Sequence, residues 1–316
     1  MLPHTDQAFL GGLRDVCSFF KDNHALTRRQ PEQDRTIMQP EIRVLDLSEI
    51  EILLDWAADE GWNPGISDAA PFQASDREGF FGCFVDGVMV SGISAVAYSV
   101  GFGFIGLYIT RPDMRGKGYG RLVWDKAMAY LGKRTIGLDG VPEQQPNYAR
   151  MGFTSDYGTA RWSGVIDAAL CSGHADSRSI EEADLDHLSA FDTAFFPAPR
   201  KAFLKAWIEA AESARLIERD GEIFGYGVAR KCRDGYKVGP LFAKTPQAAK
   251  ALLAGLVTDI KDQRIDIDVP VMQLGFITWL EAAGLTRGFE TARMYRGTKP
   301  DLHMAGVFAV TSLELG

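Results

Sequence analysis

Residues 111–131 read RPDMRGKGYGRLVWDKAMAYL, and the fold turns on what this stretch is. Gly116, Gly118 and Gly120 alternate with Arg115, Lys117, Tyr119 and Arg121. From Arg121 on, Leu122, Val123, Ala127, Tyr130 and Leu131 recur at the spacing of one helix face. Gly118 and Gly120 are poor helix formers, so they belong to the loop or first turn ahead of that helix. Glycine lets a ligand approach the backbone, and the first N–H groups of a helix lack intrahelical partners and carry partial positive charge. The loop is either a phosphate cradle, with Arg115, Lys117 and Arg121 adding charge for a diphosphate, or a turn with ordinary surface charge. The strand-like FGFIGLYIT before it and the helix after it favour the cradle.

Two nucleotide motifs are excluded. A Walker A loop needs Ser or Thr after its Lys, and Lys117 is followed by Gly118. Gly101-Phe-Gly-Phe-Ile-Gly106 matches G-x-G-x-x-G, but it lies in an apolar run that leads to LYIT rather than into a helix. Its small residues predict a bulge or a strand that another segment approaches closely.

Working outward, the chain says nearly the same thing twice. FFGCFV, Asp86-Gly87 and VMVSGISAVAY form a hairpin signal, and so do ARLIER, Asp220-Gly221 and EIFGYGVAR. Each is followed by a strand, a helix, a strand and a short helix ending at glycine: FGFIGLYIT, the helix above, TIGLDGV and PNYARMGF, then YKVGPLFA, PQAAKALLAGLVTDI, RIDIDV and FITWLEAAGL. A helix is expected before each hairpin, in EIRVLDLSEIEILLDWAADEGW and EEADLDHLSAFDTAFF. The offsets agree: Asp220 follows Asp86 by 134 residues, Val238-Gly239 follows Ile105-Gly106 by 133, and Gly284 follows Gly152 by 132. Thr291-Ala-Arg293 follows Thr159-Ala-Arg161 by 132. A unit of this length is a tandem domain pair rather than a solenoid. The expected division is an N-terminal extension over 1–39, domains over 40–167 and 176–297, and a tail over 298–316, with the linker near Ala168–Ser179.

Composition sets the remaining bounds. The chain has 316 residues, 46% hydrophobic and 24% charged, with a formal net charge of -8. This fits a soluble globular protein and argues against a nucleic-acid binder. Cys17, Cys83, Cys171 and Cys232 form no C-x-x-C pair and read as free thiols in a reducing compartment. His4, His24, His174, His187 and His303 form no H-x-x-x-H pair, so no metal is expected. No apolar run reaches membrane-spanning length and no signal-peptide core is seen, so a cytoplasmic protein is expected.

LYITRPDMRGKGYGRLVWDKAM resembles the central acetyl-CoA motif of the GNAT acetyltransferases, R/Q-x-x-G-x-G/A, filled here by Arg115, Gly118 and Gly120. NYARMGF resembles the family's later Tyr-x-x-x-Gly-Phe segment. The motifs are intact over about residues 41–165. The second half repeats the pattern without them, as in a tandem group with a degenerate C-terminal domain similar to the YitH-like proteins. The resemblance implies an α/β (α+β) fold of two GNAT-like domains, each a mixed, mostly antiparallel sheet flanked by helices. It implies that the CoA pyrophosphate sits on the amides of Arg115, Gly116, Lys117, Gly118, Tyr119 and Gly120, with Arg121 nearby. The pantetheine arm would pair with Leu107, Tyr108 and Ile109 as an added strand. Acetyl would pass directly to an amine, with no covalent enzyme intermediate.

Tyr148 takes the family's general-acid position, four residues before Gly152, and is otherwise a packing residue. The family's Asn near the start of that helix is replaced by Pro142-Glu143-Gln144, and no Glu stands on the strand before the loop. Asp139, Glu143 or a water relay is left as the base. Trp62, Asn63 and Asp68 lie where family members build the acceptor site, although Trp62 would serve equally as a core anchor. The positions matching 115–120 in the second half read AAKALL, and Leu280 stands for Tyr148, so that half is expected to complete the acceptor pocket or to stabilise the first. The expected activity is acetyl-CoA-dependent N-acetylation of a small amine by a monomer or homodimer. The alternatives are a non-catalytic acyl-CoA sensor or scaffold and, more weakly, a protein N-acetyltransferase.

Overall fold

The computed structural model describes residues 39–166, 177–261 and 263–316. The expected extension, Cys17, Cys171, His4, His24, His174 and most of the expected linker lie outside the described residues. In the first half β1 (Glu41–Val44) leads into α1 (Leu47–Asp59), then α2 (Ala69–Ser75), β2 (Phe80–Val85), β3 (Val88–Val96) and β4 (Phe102–Thr110). After the glycine loop come α3 (Tyr119–Leu131), β5 (Thr135–Gly140), α4 (Gln145–Arg150) and β6 (Thr154–Gly164). The second half runs β7 (Arg178–Ser179), α5 (Leu185–Asp192), α6 (Lys201–Glu209), β8 (Ser213–Arg219), β9 (Glu222–Lys231), β10 (Tyr236–Ala243) and α7 (Pro246–Asp259). It ends with β11 (Ile265–Pro270), α8 (Leu274–Ala282), β12 (Thr286–Arg296) and β13 (Val307–Ala309).

Local chemistry accounts for most of these elements. Both Asp-Gly hairpins turn with φ positive at each central residue (51° and 76°, 53° and 79°), the geometry that matches the right-handed twist of the flanking strands. Asp46 caps α1 through the Glu49 amide, and Glu49 reaches back to the Asp46 amide, a reciprocal capping box. The helix expected through Phe196 stops at Asp192. There the Asp192 carboxylate is taken by Arg200 and Tyr226, and the Phe195 and Phe196 amides turn back onto the Asp192 carbonyl.

All thirteen strands among the described residues join one sheet, antiparallel except where β4 meets β5 and β10 meets β11. The central order is β5-β12-β6-β11, so β6 of the first half joins the second half's sheet at β11 and β12 of the second half joins the first half's sheet at β5. The repeated Thr-Ala-Arg therefore changes sides. Arg161 stands opposite Asp268 of β11, and Arg293 stands opposite Asp139 of β5. Each guanidinium clamps its carboxylate through two hydrogen bonds of 2.8–2.9 Å. One core cluster spans both halves, from Leu53, Leu107 and Ile109 to Leu188, Trp207, Val310 and Leu315, with Phe72 of α2 stacked 5.9 Å from Trp207 of α6. The expected tail is a correction: residues 307–316 form β13 and a buried run along the middle of the molecule. The continuous apolar run Val307-Phe308-Ala309-Val310 explains the burial, since a strand apolar on both faces is covered on both. No helix among the described residues is long and apolar enough to cross a membrane.

Candidate active site

The site begins where β4 and β5 part. Their parallel pairing runs from Phe102–Thr135 to Ile105–Leu138 and then stops. At Leu107 φ is 45°, and the register of β4 on β3 slips between Gly92 and Ser94. This bulge swings residues 107–110 away from β5 and leaves their free edge on a cleft.

Three adjoining spaces follow. A groove of about 230 Å³ is lined by Arg115, Gly116, Gly118, Tyr119, Gly120 and Arg121. It shares Tyr108, Thr110 and Arg115 with an outer space of about 520 Å³. That space shares Trp62, Tyr108, Tyr148 and Phe289 with an inner pocket of about 80 Å³. A water claims about 30 Å³ of liquid, so the inner pocket takes the reacting end of a ligand and not its body. Of the loop residues singled out above, Lys117 does not line the groove; its ammonium turns to the Met114 sulfur at 3.4 Å.

At the groove, Gly118 precedes α3 with φ 88°, a conformation costly for any residue with a Cβ. No side chain caps α3, so its leading amides stay open to a ligand. Arg115 pairs with Glu60 and donates from Nε to the Thr110 carbonyl at 3.0 Å. Arg121 pairs with Asp125 one turn on, at 2.7 Å.

In the inner pocket, Tyr148 of α4 stacks on Trp124 at 5.6 Å, and Trp124 also packs on Tyr108 at 5.4 Å. The Tyr148 hydroxyl has no hydrogen-bond partner among the described residues. Burial first, and then neighbouring Tyr108, push its pKa above the ordinary tyrosine value. Asp139 lines this pocket with both oxygens on Arg293. Burial pushes its carboxyl up despite Arg293, with Asp268 and Glu314 adding negative charge. Burial also opposes ionisation of Asp268, but Arg161, helped by Lys237 and Arg230, holds that carboxyl below the usual range. Glu143 is exposed on the outer space.

The EGWNPGISD segment divides its residues. Trp62 lines the inner and outer spaces, and its carbonyl accepts from Arg161 Nη1 at 3.0 Å and Lys237 Nζ at 2.9 Å. Asn63 faces a separate polar cleft and donates to the Asp234 carbonyl at 2.9 Å and Asp266 Oδ2 at 3.1 Å. Asp68 is 2% exposed and ion-paired with Arg230, so it ties α2 to β9 rather than facing the cleft. Sequence reasoning missed Phe289, Thr291, Leu313 and Glu314 in the inner pocket. The Thr-Ala-Arg repeat marked Thr291 without its destination; no local signal marked the others.

The matching cleft of the second half is closed. β10 and β11 pair only through Val238–Ile267, and β13 then takes their place, pairing with β10 at Leu241–Ala309 while Val310 N donates to the Asp268 carbonyl at 3.0 Å. Thr245 caps α7 through the Ala248 amide at 3.2 Å, with Pro246 in the first turn, where α3 has its bare glycine loop. A Cβ on Gly239 would meet the Val310 and Thr311 carbonyls at 2.5 Å, and one on Gly106 would overlap the Glu314 carbonyl. The same segment thus runs against the equivalent glycine of each half, which is the close approach expected for the Gly101–Gly106 run.

Comparison with known proteins agrees with this architecture. A model of the acetyltransferase (GNAT) family matches residues 47–153, and an acetyltransferase (GNAT) domain model matches residues 188–309. Holothin acyltransferase from Pseudoalteromonas sp. (strain SANK 73390) is 34% identical over 273 residues, 85% of this chain and 92% of that protein. YitH from Bacillus subtilis (strain 168), an uncharacterized N-acetyltransferase, is 25% identical over 215 residues, 67% of this chain and 76% of that one. A candidate acetyltransferase from Pyrococcus horikoshii, 17% identical, shares the fold with a TM-score of 0.75 over 91% of this chain and 99% of its own. Both halves match the same family and a relative follows the chain through nearly all of it, so the protein belongs to the GNAT acetyltransferases as a tandem-domain acyltransferase.

Proposed function

We propose that the protein transfers an acetyl group from acetyl-CoA to the primary amine of a small molecule, using the first half alone for the cofactor. The observation that carries this reading is the row of three adjoining spaces, each sharing Tyr108, from the bare glycine loop along the free edge of β4 to the pocket under Tyr148. In this reading the amides of residues 115–120 hold the pyrophosphate, with Arg115 and Arg121 as counter-charges. The free edge at Leu107, Tyr108 and Ile109 pairs with the pantetheine arm. Tyr148 donates its proton to the departing thiolate, and the raised pKa of its buried hydroxyl keeps that proton in place at neutral pH. Trp62 and Phe289 flank the acceptor. A small-molecule acceptor is supported by the relative named for holothin.

The test is calorimetric titration of CoA into wild type and Gly118→Trp, followed by thiol release from acetyl-CoA across a panel of amines. A Cβ at Gly118 meets nothing within 4 Å, but φ 88° strains any side chain there, so a thermal melt of the variant accompanies the titration to separate lost binding from lost folding. The expected result is one-site binding that the variant loses, with turnover on at least one free amine. Binding without turnover on any amine would favour an acyl-CoA sensor.

A further inference from the structure

The inner pocket holds a carboxylate that the proposed chemistry has not yet used. Glu314 lies in the buried run that follows β13 and is 3% exposed. Among the described residues its side chain has neither a hydrogen-bond nor an ion-pair partner, although it lines the pocket with Tyr148, Leu107 and Thr291. The Thr291 hydroxyl beside it is likewise buried and unpartnered. Burying an unpaired carboxylate is costly unless something compensates it. The buried Arg161 and Arg230 guanidiniums offset part of that cost without hydrogen-bonding the carboxylate. A ligand that brings a cation or an N–H donor into the pocket would supply a direct partner.

The surrounding backbone holds this residue firmly. The carbonyl of Glu314 accepts from Ser94 Oγ at 3.3 Å, and that of Leu315 from Tyr98 Oη at 3.0 Å. Thr311 is gripped by Arg200 at 2.8 Å, and the Leu315 amide donates to Ser312 Oγ at 3.0 Å. The segment is thus anchored to β3 of one half and α6 of the other, with Glu314 between. The other carboxylates near the cleft are engaged or remote: Asp139 gives both oxygens to Arg293, Glu60 pairs with Arg115, and Glu143 stands exposed on the outer space.

We infer that Glu314 is the general base of this enzyme, carried into the first half's active site by the segment that closes the second half's cleft. The inference rests on the acyl-transfer reading above. Glu314 receives the acceptor as an ammonium, takes a proton from it, and leaves the nitrogen lone pair free. The nitrogen bonds to the acetyl carbon, the carbon–sulfur bond breaks, and the sulfur takes the Tyr148 proton. The second proton shed by the nitrogen leaves through solvent, and the proton held by Glu314 is passed through solvent to the Tyr148 phenolate. The ammonium and acetyl-CoA thus give amide, CoA thiol and one released proton, with both side chains reset and no further reactant.

The experiment compares wild type, Glu314→Gln and Glu314→Asp from pH 6 to pH 10, with CoA affinity and amine binding to the CoA-saturated protein measured by calorimetry. At pH 7 the Gln variant is expected to lose about 10²-fold or more in kcat/KM for the amine, with CoA affinity unchanged. The defect should shrink as pH rises, because an amine already neutral needs no base, and the Asp variant should fall between the two. A merely structural role would lower the rate equally at every pH and weaken CoA binding as well. If the Gln variant melts early, the Asp variant carries the pH comparison. Wild-type turnover with a Gln variant within about threefold at all pH, or with a pH-independent loss, overturns the role of Glu314 alone. A wild type that neither acetylates nor binds any amine overturns the acyl-transfer reading, and Glu314 with it.

Discussion

Tyr148 illustrates how packing sets the chemistry of one side chain. Its ring is held between Trp124 and Phe153, at 5.6 and 6.2 Å, which fixes the hydroxyl over the end of the β4–β5 cleft. The same burial disfavours the phenolate, so the folded pKa is raised. A group with a raised pKa keeps its proton to higher pH. Wild-type kcat should therefore show no decline from loss of the Tyr148 proton below pH ~10, the ordinary tyrosine value. Tyr148→Phe keeps the stacking and removes the proton, so kcat should fall by about 10²–10³-fold while CoA affinity holds. Steady-state kinetics with parallel CoA titration would check both, and a variant that retained full kcat would return Tyr148 to a packing role. The residue's position was legible, because its spacing to Gly152 is local. Its environment was not, because Trp124 reaches it from another helix.

The exchanged strands β6 and β12 carry a matched pair of buried clamps whose consequences differ. Arg161–Asp268 sits in the second half's sheet, and Arg293–Asp139 sits beside the inner pocket. Removing one partner of a buried pair leaves an uncompensated charge, at about 3–5 kcal/mol. Arg161→Met should cost that much in urea unfolding at pH 7. The Asp268 carboxyl is lowered in the folded state, so its contribution is present above the unfolded value near 4 and is lost as pH falls through the folded value. The gap in stability between wild type and Asp268→Asn should accordingly narrow below about pH 4. Arg293→Met should cost stability and also activity, because it frees the Asp139 carboxylate at the pocket wall. Arg161→Met should lower activity as well, because Arg161 holds the Trp62 carbonyl at 3.0 Å and lies over the Phe289 ring. Urea melts and rates on the same preparations would read both costs, and a variant of either arginine with wild-type stability would contradict the clamp. The Thr-Ala-Arg repeat was visible as an offset of 132 residues, but an offset is the same whether a strand stays or crosses. What decides the crossing is the pairing of Arg161 with Asp268 across more than 100 residues of chain, and no local pattern encodes it.

At the scale of the molecule, the two halves form one folding unit, although the sequence divides into two repeats. The hairpins, the helix after the glycine loop and the degeneracy of the second half were readable, because each depends on turn chemistry, periodicity or missing glycines within a few residues. The destination of residues 307–316 was not, because Val307–Val310 reads as a short apolar strand with no stated partner. In the structure that segment fills the β10–β11 cleft and then runs along β4, and β12 closes the sheet beside β5. A fragment spanning 39–166 would expose the edge of β5 that β12 covers and the core face that α6 and Leu315 cover. Unpaired edges and uncovered apolar faces favour aggregation over folding. The fragment should therefore be insoluble or unfolded alone, despite containing every residue proposed to hold acetyl-CoA. Co-expression with 167–316 should recover a soluble complex that binds CoA, because the exchanged strands need no covalent link to pair. The intact chain should unfold in one calorimetric transition, since neither repeat has a sheet of its own to lose first. Two resolved transitions, or a folded CoA-binding 39–166 fragment, would mean that the strand exchange is not what holds the first half together.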